Sequence, residues 1–417
     1  MKDKIKLGYI GVGRRGTWVL RECFSQMKDV EVIYISDLVP ERMEQAKRTV
    51  IENSGVTPKL VADYHEILAD PQVDGVIVMT GWSGRPQIAM EVMRAGKYVG
   101  IEVGCADNLQ ECYDLVKVSE ETGVPCMMLE NCCYGRRELL VMNMVKQGLF
   151  GEVVHCAGAY GHYLNDVELF KDIETETPPH YRLPLYIAKN RENYPTHEFG
   201  PISKLLGINR GNRIVSLSSF ASKSRSLNQY AKDHLENPKW AEVEYAQGDI
   251  VTTVMTCANG ETVVLTLDTT APRPFYSRSY TVRGTKGMSF EDAKVIYLDG
   301  MEHKIRNNEE EFYEKYDHPL YVEYRQMESR GGHGGIDWLV CRAFVESVKN
   351  ETQPPIDVYD AAAWLAIGPL SEASIQQGGA PQAFPDFTNG KWENREPVVR
   401  CKYCLDEICE DKNTPIY

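Results

Sequence analysis

The sequence contains no apolar run of about 18 or more residues, the length that a membrane-spanning helix needs. Its first apolar segment, IKLGYIGVG, leads directly into a glycine turn and does not have the form of a secretion signal. We therefore predict a cytoplasmic protein that does not bind to membranes.

Clusters of lysine and arginine are also missing. The chain has 46 Lys and Arg residues against 60 Asp and Glu residues, which gives a net charge of −14. Because binding to nucleic acid or to an anionic surface requires a basic patch, we expect small-molecule partners. With 417 residues, 43% hydrophobic and 25% charged, the chain has a globular composition and enough length for about two to three domains.

The twelve cysteines do not provide the ligand set of a structural zinc site. Cys401, Cys404 and Cys409 form a group of three near the end of the sequence, with no clear fourth ligand. In a chain without a secretion signal, reduced thiols are the expectation. We therefore predict neither a metal site nor disulfides.

A glycine motif follows the first predicted strand. The strand covers residues 5–10, the motif is Gly11-Val-Gly13-Arg-Arg-Gly16, and a helix is predicted over residues 17–27. Glycines let the backbone turn tightly and approach a pyrophosphate, whose charge then lies at the positive N-terminus of the helix. Arg14 and Arg15 could contact a phosphate, and the alternative is a tight turn that binds no ligand.

A second strand, predicted over residues 30–36, ends at Asp37, about 20 residues after the last glycine. An acidic residue at this spacing binds the ribose hydroxyls and repels a 2′-phosphate, so NAD is favoured over NADP. Farther along the chain, Trp82 and Arg85 follow another predicted strand, where a loop of an open α/β sheet contacts the adenine or a phosphate.

The pattern of strands and helices divides the chain into three segments. Residues 1–130 alternate strands with helices, which predicts a doubly wound parallel sheet. Residues 131–377 contain alternating polar and apolar runs joined by turns such as Ala258-Asn-Gly260, which predicts an α+β domain with a mostly antiparallel open sheet. Residues 378–417 are predicted to form a tail that packs on the surface or on a neighbouring subunit.

Such a chain resembles the superfamily of glucose-fructose oxidoreductase, inositol dehydrogenase and MocA, which implies an N-terminal Rossmann domain. Dehydrogenases of that superfamily have a Glu-Lys-Pro motif whose lysine moves the proton of the substrate hydroxyl. The matching stretch here, YVGIEVGCADNLQEC, has Glu102 followed by Val103 and Gly104. The usual catalytic lysine is therefore missing.

Several other segments resemble glycoside hydrolase family 109, the NAD-dependent α-N-acetylgalactosaminidases. These segments are MLENCCYGRRELLVMNMVKQGLFGEVVHCAGAYGHYL, NYPTHEFGPISKLLGINRGNR, APRPFYSRSYTVRGTKG and GGHGGIDW. The resemblance implies two sets of residues. The substrate-binding set is Glu130, Arg182, Tyr194, His197 and Tyr276, and the catalytic set is His197, Tyr194 and Tyr160, with His162 nearby. Together with the glycine motif and the strand ends described above, the predicted cofactor-binding set is Gly11, Gly13, Arg14, Arg15, Gly16, Asp37, Trp82, Arg85, Glu102 and Asn131.

The resemblance also implies an unusual hydrolysis in which NAD⁺ takes a hydride from C3 of the sugar and later returns it. The ketone at C3 acidifies the hydrogen at C2, a base removes that proton, the anomeric substituent leaves and water adds. His197 is suited to proton transfer, and Tyr160 or Tyr194 could be the base if a nearby charge lowers its pKa. Arg182 could stabilise negative charge.

Simpler interpretations remain open. Tyr194 and His197 could be packing residues, and Thr196 could N-cap the helix that follows. His333 has no assigned role. A net sugar or polyol dehydrogenase and a non-enzymatic NAD sensor are the competing functions. Because an antiparallel sheet with one uncovered face favours self-association, we expect a homodimer or homotetramer.

Overall fold

The computed structural model describes residues 2–174, 180–327, 330–397 and 400–409. The chain forms two compact units: the first contains residues 1–146, 315–363 and 394–417, and the second contains residues 147–314 and 364–393. By contact, residues 315–363 and the end of the chain therefore group with the N-terminal part. The division into three consecutive segments, with boundaries at residues 130 and 377, stays a prediction.

The first unit contains a six-stranded parallel sheet in the order β3-β2-β1-β4-β5-β6. Its strands are β1 (Ile5–Ile10), β2 (Val30–Ser36), β3 (Lys59–Val61), β4 (Gly75–Val78), β5 (Tyr98–Ile101) and β6 (Cys126–Met128). Its helices are α1 (Arg14–Glu22), α2 (Pro40–Ser54), α3 (His65–Ala69), α4 (Arg85–Arg94), α5 (Leu109–Thr122), α6 (Arg136–Lys146), α12 (Pro319–Tyr324) and α13 (Ile336–Asn350). This is the predicted doubly wound sheet, with the strand order of a Rossmann fold.

Local sequence explains why these elements form. The central strands are continuous apolar runs, as expected for strands covered on both faces. Helix α5 begins where the side chain of Asn108 accepts a hydrogen bond from the Glu111 amide, 3.1 Å away. Helix α2 buries Met43, Ala46 and Val50, which recur every three to four residues.

Helix α13 is buried along nearly its whole length. Its Arg342 is fully buried and donates two hydrogen bonds of 2.6 Å to the carboxylate of Asp29, which also binds Lys349 at 2.6 Å. Burial raises the pKa of Asp29, but the hydrogen bonds and charges of Arg342 and Lys349 outweigh burial and lower that pKa to about 2. The ion pairs thus join α13 to the loop before β2.

The second unit contains an eight-stranded sheet in the order β13-β12-β11-β7-β10-β9-β8-β14. Its strands are β7 (Val153–Gly161), β8 (Ile214–Ala221), β9 (Ile250–Cys257), β10 (Thr262–Asp268), β11 (Thr281–Gly284), β12 (Gly287–Phe290), β13 (Val295–Leu298) and β14 (Gln382–Ala383). Its helices are α7 (Arg182–Ala188), α8 (Pro195–Leu205), α9 (Ser226–His234) and α10 (Lys239–Glu242). Two further helices, α11 (Glu309–Tyr316) and α14 (Val358–Gln376), have residues in both units, because each unit boundary falls inside a helix.

The strand pairs of this sheet are antiparallel except for β7 with β10, which is parallel. The predicted turn at Gly260 joins β9 to β10, and its φ of 97° is one that glycine adopts without strain. Alternate residues of β9 and β10 are buried, whereas Val254 of β9 and Phe220 of β8 are exposed. One face of the sheet is therefore covered and the other is open.

Several sequence predictions differ from the structure in their boundaries. Strands β1 and β2 have the predicted bounds, but α1 begins at Arg14, inside the glycine motif, because Gly13 occupies the N-cap position. The described cysteines form no disulfide. No helix in the described part of the chain has the length and apolar character that crossing a bilayer requires.

Candidate functional site

The glycine turn of the first unit is packed so closely that two of its glycines cannot carry a side chain. A Cβ at Gly16 would lie 2.2 Å from the carbonyl oxygen of Gly11, and one at Gly11, whose φ is +92°, would lie 2.8 Å from the Met79 carbonyl carbon. At Gly13, in contrast, a Cβ would meet nothing within 4 Å. The turn is thus tight at its ends and open at Gly13, where a pyrophosphate would approach the backbone.

The N-terminus of α1 suits an anion. The helix has no acidic residue in its first turn and no side-chain cap, so the positive end of its dipole faces the turn. At the end of β2, Asp37 accepts hydrogen bonds from the amides of Val12, 2.7 Å away, and Val39, 2.9 Å away. The carboxylate that is predicted to bind the ribose is therefore fixed beside the turn.

Trp82 and Arg85 brace the loops that follow β4 and β5. The Arg85 guanidinium is buried and donates to the carbonyl oxygens of Glu102 at 2.5 Å and Val103 at 2.6 Å. The Trp82 ring is also buried, and a Cβ at Gly104 would lie 2.4 Å from it. Val103, in the place of the superfamily's lysine, is buried. Both predicted cofactor residues therefore shape this loop edge through packing and hydrogen bonds.

Two other predicted cofactor residues, Arg15 and Asn131, contact a residue that was not predicted, Asp337 of α13. Arg15 makes two hydrogen bonds to its carboxylate, at 2.7 and 2.9 Å, and Asn131 makes one at 2.7 Å. Glu102 lies 3.4 Å from Arg15. Burial raises the pKa of Asp337, but hydrogen bonds from Arg15 and His333 outweigh burial and hold it well below its ordinary value. Asp337 is therefore a carboxylate.

Glu130 lies just after β6, the edge strand of the parallel sheet in the first unit. It is fully buried, and its carboxylate accepts a 2.9 Å hydrogen bond from the Cys132 amide, at the start of the short 3₁₀ turn Asn131–Tyr134. Its described hydrogen bond is thus a cap of this turn, and its predicted role in substrate binding stays a prediction.

The predicted catalytic residues of the second unit form one aromatic cluster. Tyr160 and His162 lie at the end of β7, Tyr194 and His197 begin α8, and Tyr276 precedes β11. The Tyr160 ring centroid lies 4.3 Å from that of Tyr194, 5.6 Å from that of His197 and 6.2 Å from that of Tyr276. The Tyr194 and His197 centroids are 4.8 Å apart. The structure thus assembles side chains that lie up to 116 positions apart in the sequence.

Close packing of α8 on β7 positions this cluster. A Cβ at Gly158, two residues before Tyr160, would lie 2.4 Å from the Glu198 carbonyl oxygen, so the helix can lie directly on the strand only because of this glycine. Before α8, Asn193 is fully buried and its amide donates to Gln247 at 2.5 Å while its oxygen accepts from Arg191 at 3.0 Å. A buried polar network therefore fixes the start of the helix.

The proposed N-cap at Thr196 is wrong. Tyr194 occupies the N-cap position without a side-chain hydrogen bond, Pro195 is the first helical residue, and Thr196 lies inside the first turn. Its buried hydroxyl has no hydrogen-bond partner among the described residues. Proline at the first helical position determines the start of α8, because its fixed φ suits a helix and its missing N–H is not needed there.

Arg182 is a cation that lies against the aromatic cluster. Its guanidinium carbon lies 4.7 Å from the Tyr194 ring centroid, and one of its nitrogens lies 2.9 Å from a carboxylate oxygen of Glu168. Burial lowers the pKa of Arg182, but the charges of Tyr181 and Glu168 raise it by more than burial lowers it, so the pKa lies above its ordinary value. The site therefore contains a fixed positive charge next to a tyrosine ring.

Tyr160 and His162 share a hydrogen bond of 3.0 Å between the tyrosine Oη and the imidazole Nδ1. Burial raises the pKa of Tyr160, and the nearby charge of Arg182 lowers it only in part. Burial also lowers the pKa of His162, and Arg182 and His197 lower it further against the opposing effect of Glu168. The lowered pKa that a tyrosine base needs is thus not found at Tyr160, whose hydroxyl stays protonated at neutral pH.

The sequence analysis missed two carboxyl groups of this unit besides Glu168. Glu192 is fully buried and accepts a 3.0 Å hydrogen bond from the Tyr194 amide, and Glu198 is buried beside it. Burial raises the pKa of Glu192 to about 7 and raises that of Glu198 still more. Two buried carboxyls together retain a proton, and no spacing in the sequence indicates such a pair.

Comparison with known families gives a consistent result for both parts of the chain. Residues 5–130 match the oxidoreductase family with an NAD-binding Rossmann fold, and residues 134–394 match the C-terminal domain of glycosyl hydrolase 109. The NAD cofactor that the glycine motif predicted is thereby confirmed. The open cradle at Gly13 and the fixed carboxylate of Asp37 are what that cofactor requires.

Individual relatives cover nearly the whole sequence. A glycosyl hydrolase family 109 protein of Stenotrophomonas maltophilia is 38% identical over 417 residues, which include 95% of this chain and 91% of the relative. An alpha-N-acetylgalactosaminidase of Tannerella forsythia is 36% identical over 421 residues, with 94% and 88% covered.

Solved structures share the fold at low sequence identity. Levoglucosan dehydrogenase in complex with NADH and levoglucosan gives a TM-score of 0.68 at 15% identity, covering 92% of this chain and 100% of that one. An NAD binding oxidoreductase from Klebsiella pneumoniae gives 0.69 at 19% identity, covering 92% and 99%. The predicted combination of a parallel and a mostly antiparallel sheet is therefore confirmed.

Proposed function

The chain belongs to glycosyl hydrolase family 109 and is a glycosidase with an NAD-binding domain, and we propose that it cleaves α-N-acetylgalactosaminides or related hexosides while recycling NAD⁺. The name of the Tannerella forsythia relative supports this choice of sugar. The observation that carries the proposal is the cluster of Tyr160, Tyr194, His197 and Tyr276 around the Arg182 cation.

The chain's own residues prepare the cofactor site. Gly13 leaves the backbone open to a pyrophosphate, the N-terminus of α1 provides the positive end of a dipole, and Asp37 holds the ribose. NAD⁺, when bound, supplies an acceptor for the hydride of C3 and returns that hydride at the end of the cycle. The chain's own residues contribute proton transfer and charge stabilisation to the other steps, which are elimination of the aglycone and addition of water.

Two residues of α8 carry the proton transfers. His197 takes the proton of the C3 hydroxyl as the C3–H bond breaks, which leaves a ketone at C3. Tyr194 takes the C2 proton as a phenolate, a form that the Arg182 guanidinium 4.7 Å from its ring stabilises, and the negative charge passes to the enolate of the sugar. The electrons of the C2–H bond form a C1–C2 double bond as the aglycone leaves with the electrons of the C1–O bond. Water then adds at C1 and gives up a proton that neutralises the departed aglycone oxygen. Tyr194, after its hydroxyl hydrogen has exchanged with solvent, delivers a proton to C2, and His197 returns a proton to the C3 oxygen as the ketone is reduced.

The other polar groups bind and orient the sugar. The protonated hydroxyl of Tyr160 has one hydrogen to donate and can also accept, and its hydrogen bond with His162 fixes its direction. Glu168 holds Arg182 in place through the 2.9 Å ion pair. Tyr276, which is 45% exposed, contributes a ring edge on which a pyranose packs.

A buried valine argues against the net dehydrogenase. Oxidation of an alcohol with release of NADH relies, in the related dehydrogenases, on the lysine of Glu-Lys-Pro. Val103 takes that position, is buried and has no group that can move a proton. A dehydrogenase of this chain would need another proton acceptor.

The proposal is tested with p-nitrophenyl α-N-acetylgalactosaminide, with and without added NAD⁺, by following nitrophenol release together with NADH absorbance. Nitrophenol that accumulates without NADH supports the recycling glycosidase. NADH that accumulates with a free sugar or polyol, with no nitrophenol released, contradicts it and supports the dehydrogenase. The β-anomer and the galactoside without the acetamido group are matched control substrates.

The oligomeric state and the cellular location are separate proposals. Apolar side chains on the open face of the second unit's sheet, including Val254 and Phe220, support self-association through that face. A homodimer or homotetramer is the state that we propose. The cytoplasmic location stays a prediction.

A further inference from the structure

A glycine-rich loop of the first unit, residues 331–335, lies directly against two helices. A Cβ at Gly332 would lie 2.5 Å from the Trp18 indole nitrogen of α1 and 2.7 Å from a carboxylate oxygen of Asp337. A Cβ at Gly331, whose φ is +72°, would lie 2.8 Å from the Trp338 amide nitrogen of α13. The glycines are thus required for the loop to approach the helix that begins at the NAD turn.

The loop holds one non-glycine residue, His333, in a left-handed conformation with φ of 53°. Such a conformation is uncommon for a histidine and persists where surrounding contacts enforce it, often at functional sites. In this conformation, its Nδ1 makes a 2.9 Å hydrogen bond with Asp337 Oδ2. Because Asp337 is a carboxylate, Nδ1 carries the hydrogen, and Nε2 is on the side of the ring away from the carboxylate.

The same carboxylate holds two residues of the predicted cofactor set. Arg15 donates to Oδ2 at 2.9 Å and to Oδ1 at 2.7 Å, and Asn131 donates to Oδ1 at 2.7 Å. His333 and Arg15 therefore bind the same oxygen atom, Oδ2 of Asp337, and the imidazole lies beside the Arg15 guanidinium. The Asp337 side chain is fully buried, whereas the His333 side chain is 61% exposed.

We propose that Asp337 is a positioning residue of the NAD site, which fixes Arg15 and Asn131 and presents the imidazole of His333 to the oxygens of the bound dinucleotide. A carboxylate behind a histidine fixes the ring's tautomer and orientation, as it does behind metal-binding histidines. Two of the nitrogens of Arg15 are used by the same carboxylate, so its guanidinium plane is fixed too. The proposal rests on the NAD assignment and not on the identity of the sugar.

The test is a titration of the apoprotein with NADH, followed by the fluorescence of the bound nicotinamide, without any glycoside. The variants are Asp337→Asn, His333→Ala and the double variant. Loss of hydrogen bonds to a charged group predicts that Asp337→Asn raises the NADH dissociation constant about 10- to 100-fold. His333→Ala is expected to raise it less, and the double variant no more than Asp337→Asn, because both changes remove the same arrangement.

Asp317→Asn is the matched control. Asp317 is also a buried aspartate of the first unit, and it accepts two hydrogen bonds from Arg136, at 2.8 and 3.0 Å. It is expected to change thermal stability but not the NADH dissociation constant. Equal weakening by the two aspartate variants would show a general structural effect and overturn the proposal.

His333→Ala keeps the proposal testable if Asp337→Asn does not fold, because the exposed imidazole can be removed without opening the core. Unchanged NADH binding by a folded His333→Ala would overturn the proposal, and so would effects of the two changes that simply add. Because no sugar is present, failure here is distinguishable from failure of the proposed glycosidase activity, which nitrophenol release measures.

Discussion

Replacing Arg182 by methionine removes the positive charge of the second unit's aromatic cluster while it keeps a long, flexible side chain. If Arg182 stabilises the charge that develops when Tyr194 takes the C2 proton, its loss lowers kcat. Removal of one preorganised group that stabilises a developing charge lowers kcat by about 100- to 1000-fold. Arg182→Lys keeps the charge but loses the planar fork, so its activity should lie between that of the wild type and that of the methionine variant.

The contacts of Arg182 also indicate how much stability the Arg182→Met substitution removes. Arg182 loses a desolvated cation–π contact, worth up to about 2 kcal/mol, with Tyr194 at 4.7 Å. The substitution also removes the ion pair with Glu168, whose side chain is 23% exposed, and this partly exposed pair contributes about 1 kcal/mol. The total of about 2–3 kcal/mol corresponds to a decrease in Tm of about 4–12 °C for a domain of this size.

The assay measures nitrophenol release at saturating NAD⁺ and thermal unfolding of the same preparations. Lys189→Met is the matched control, because Lys189 follows the same helix, α7, and pairs with Glu372 at 3.4 Å. This control should lose little stability and no activity. If Arg182→Met keeps kcat within about threefold of the wild type, corresponding to less than about 1 kcal/mol of transition-state stabilisation, the assigned role of Arg182 is refuted.

Three other predictions concern the cofactor, the core and the open sheet face. Asp37→Asn removes the charge fixed by the Val12 amide and should weaken NADH binding and reduce the preference for NADH over NADPH, as measured by fluorescence titration; an unchanged preference would contradict the ribose assignment. Folding lowers the pKa of Asp29 from 3.8 to about 2, so the stability that its ion pairs provide is present above about pH 4 and is lost as pH falls through 2. Denaturant titrations at several pH values should show a loss of about 2 kcal/mol in the free energy of unfolding in that window. Asp29→Asn should flatten that part of the pH profile. Val254→Lys places a charge on the open face and should reduce the mass measured by light scattering; an unchanged oligomer would exclude that face as the interface.

The parallel sheet could be predicted well because its information is local. Residues 5–10 and 30–36 are apolar runs bounded by turn signals, and both strands were predicted with the bounds they have. Helix α2 (Pro40–Ser54) was missed although its buried residues Met43, Ala46 and Val50 recur at helical spacing. Charged residues occupy half of its other positions, so its apolar stripe is narrow.

The aromatic cluster was predicted in part. Tyr160, Tyr194, His197 and Tyr276 were selected through the family resemblance, and the structure brings their rings together. The carboxylates that organise the two units were not selected. Asp337 is 322 positions from Arg15, and Glu168 contacts Arg182 across an irregular segment, so no periodicity connects either pair. Only the folded chain shows such pairs.

The pKa of Tyr160 shows another limit of prediction from the sequence. A tyrosine beside an arginine was expected to act as a base if the charge lowered its pKa. Burial instead raises the pKa of Tyr160 by more than Arg182 lowers it, because desolvation disfavours the phenolate. The extent of burial depends on how β7 and α8 pack, which the order of residues does not reveal.

The central claim is that the glycosidic bond breaks by oxidation and elimination, with loss and return of the C2 proton. The most direct test is to hydrolyse p-nitrophenyl α-N-acetylgalactosaminide in D₂O and to determine the deuterium content at C2 of the released sugar by NMR and mass spectrometry. The account predicts deuterium at C2 of the product sugar. A product that keeps its original hydrogen at C2 would contradict the account and indicate direct hydrolysis at C1.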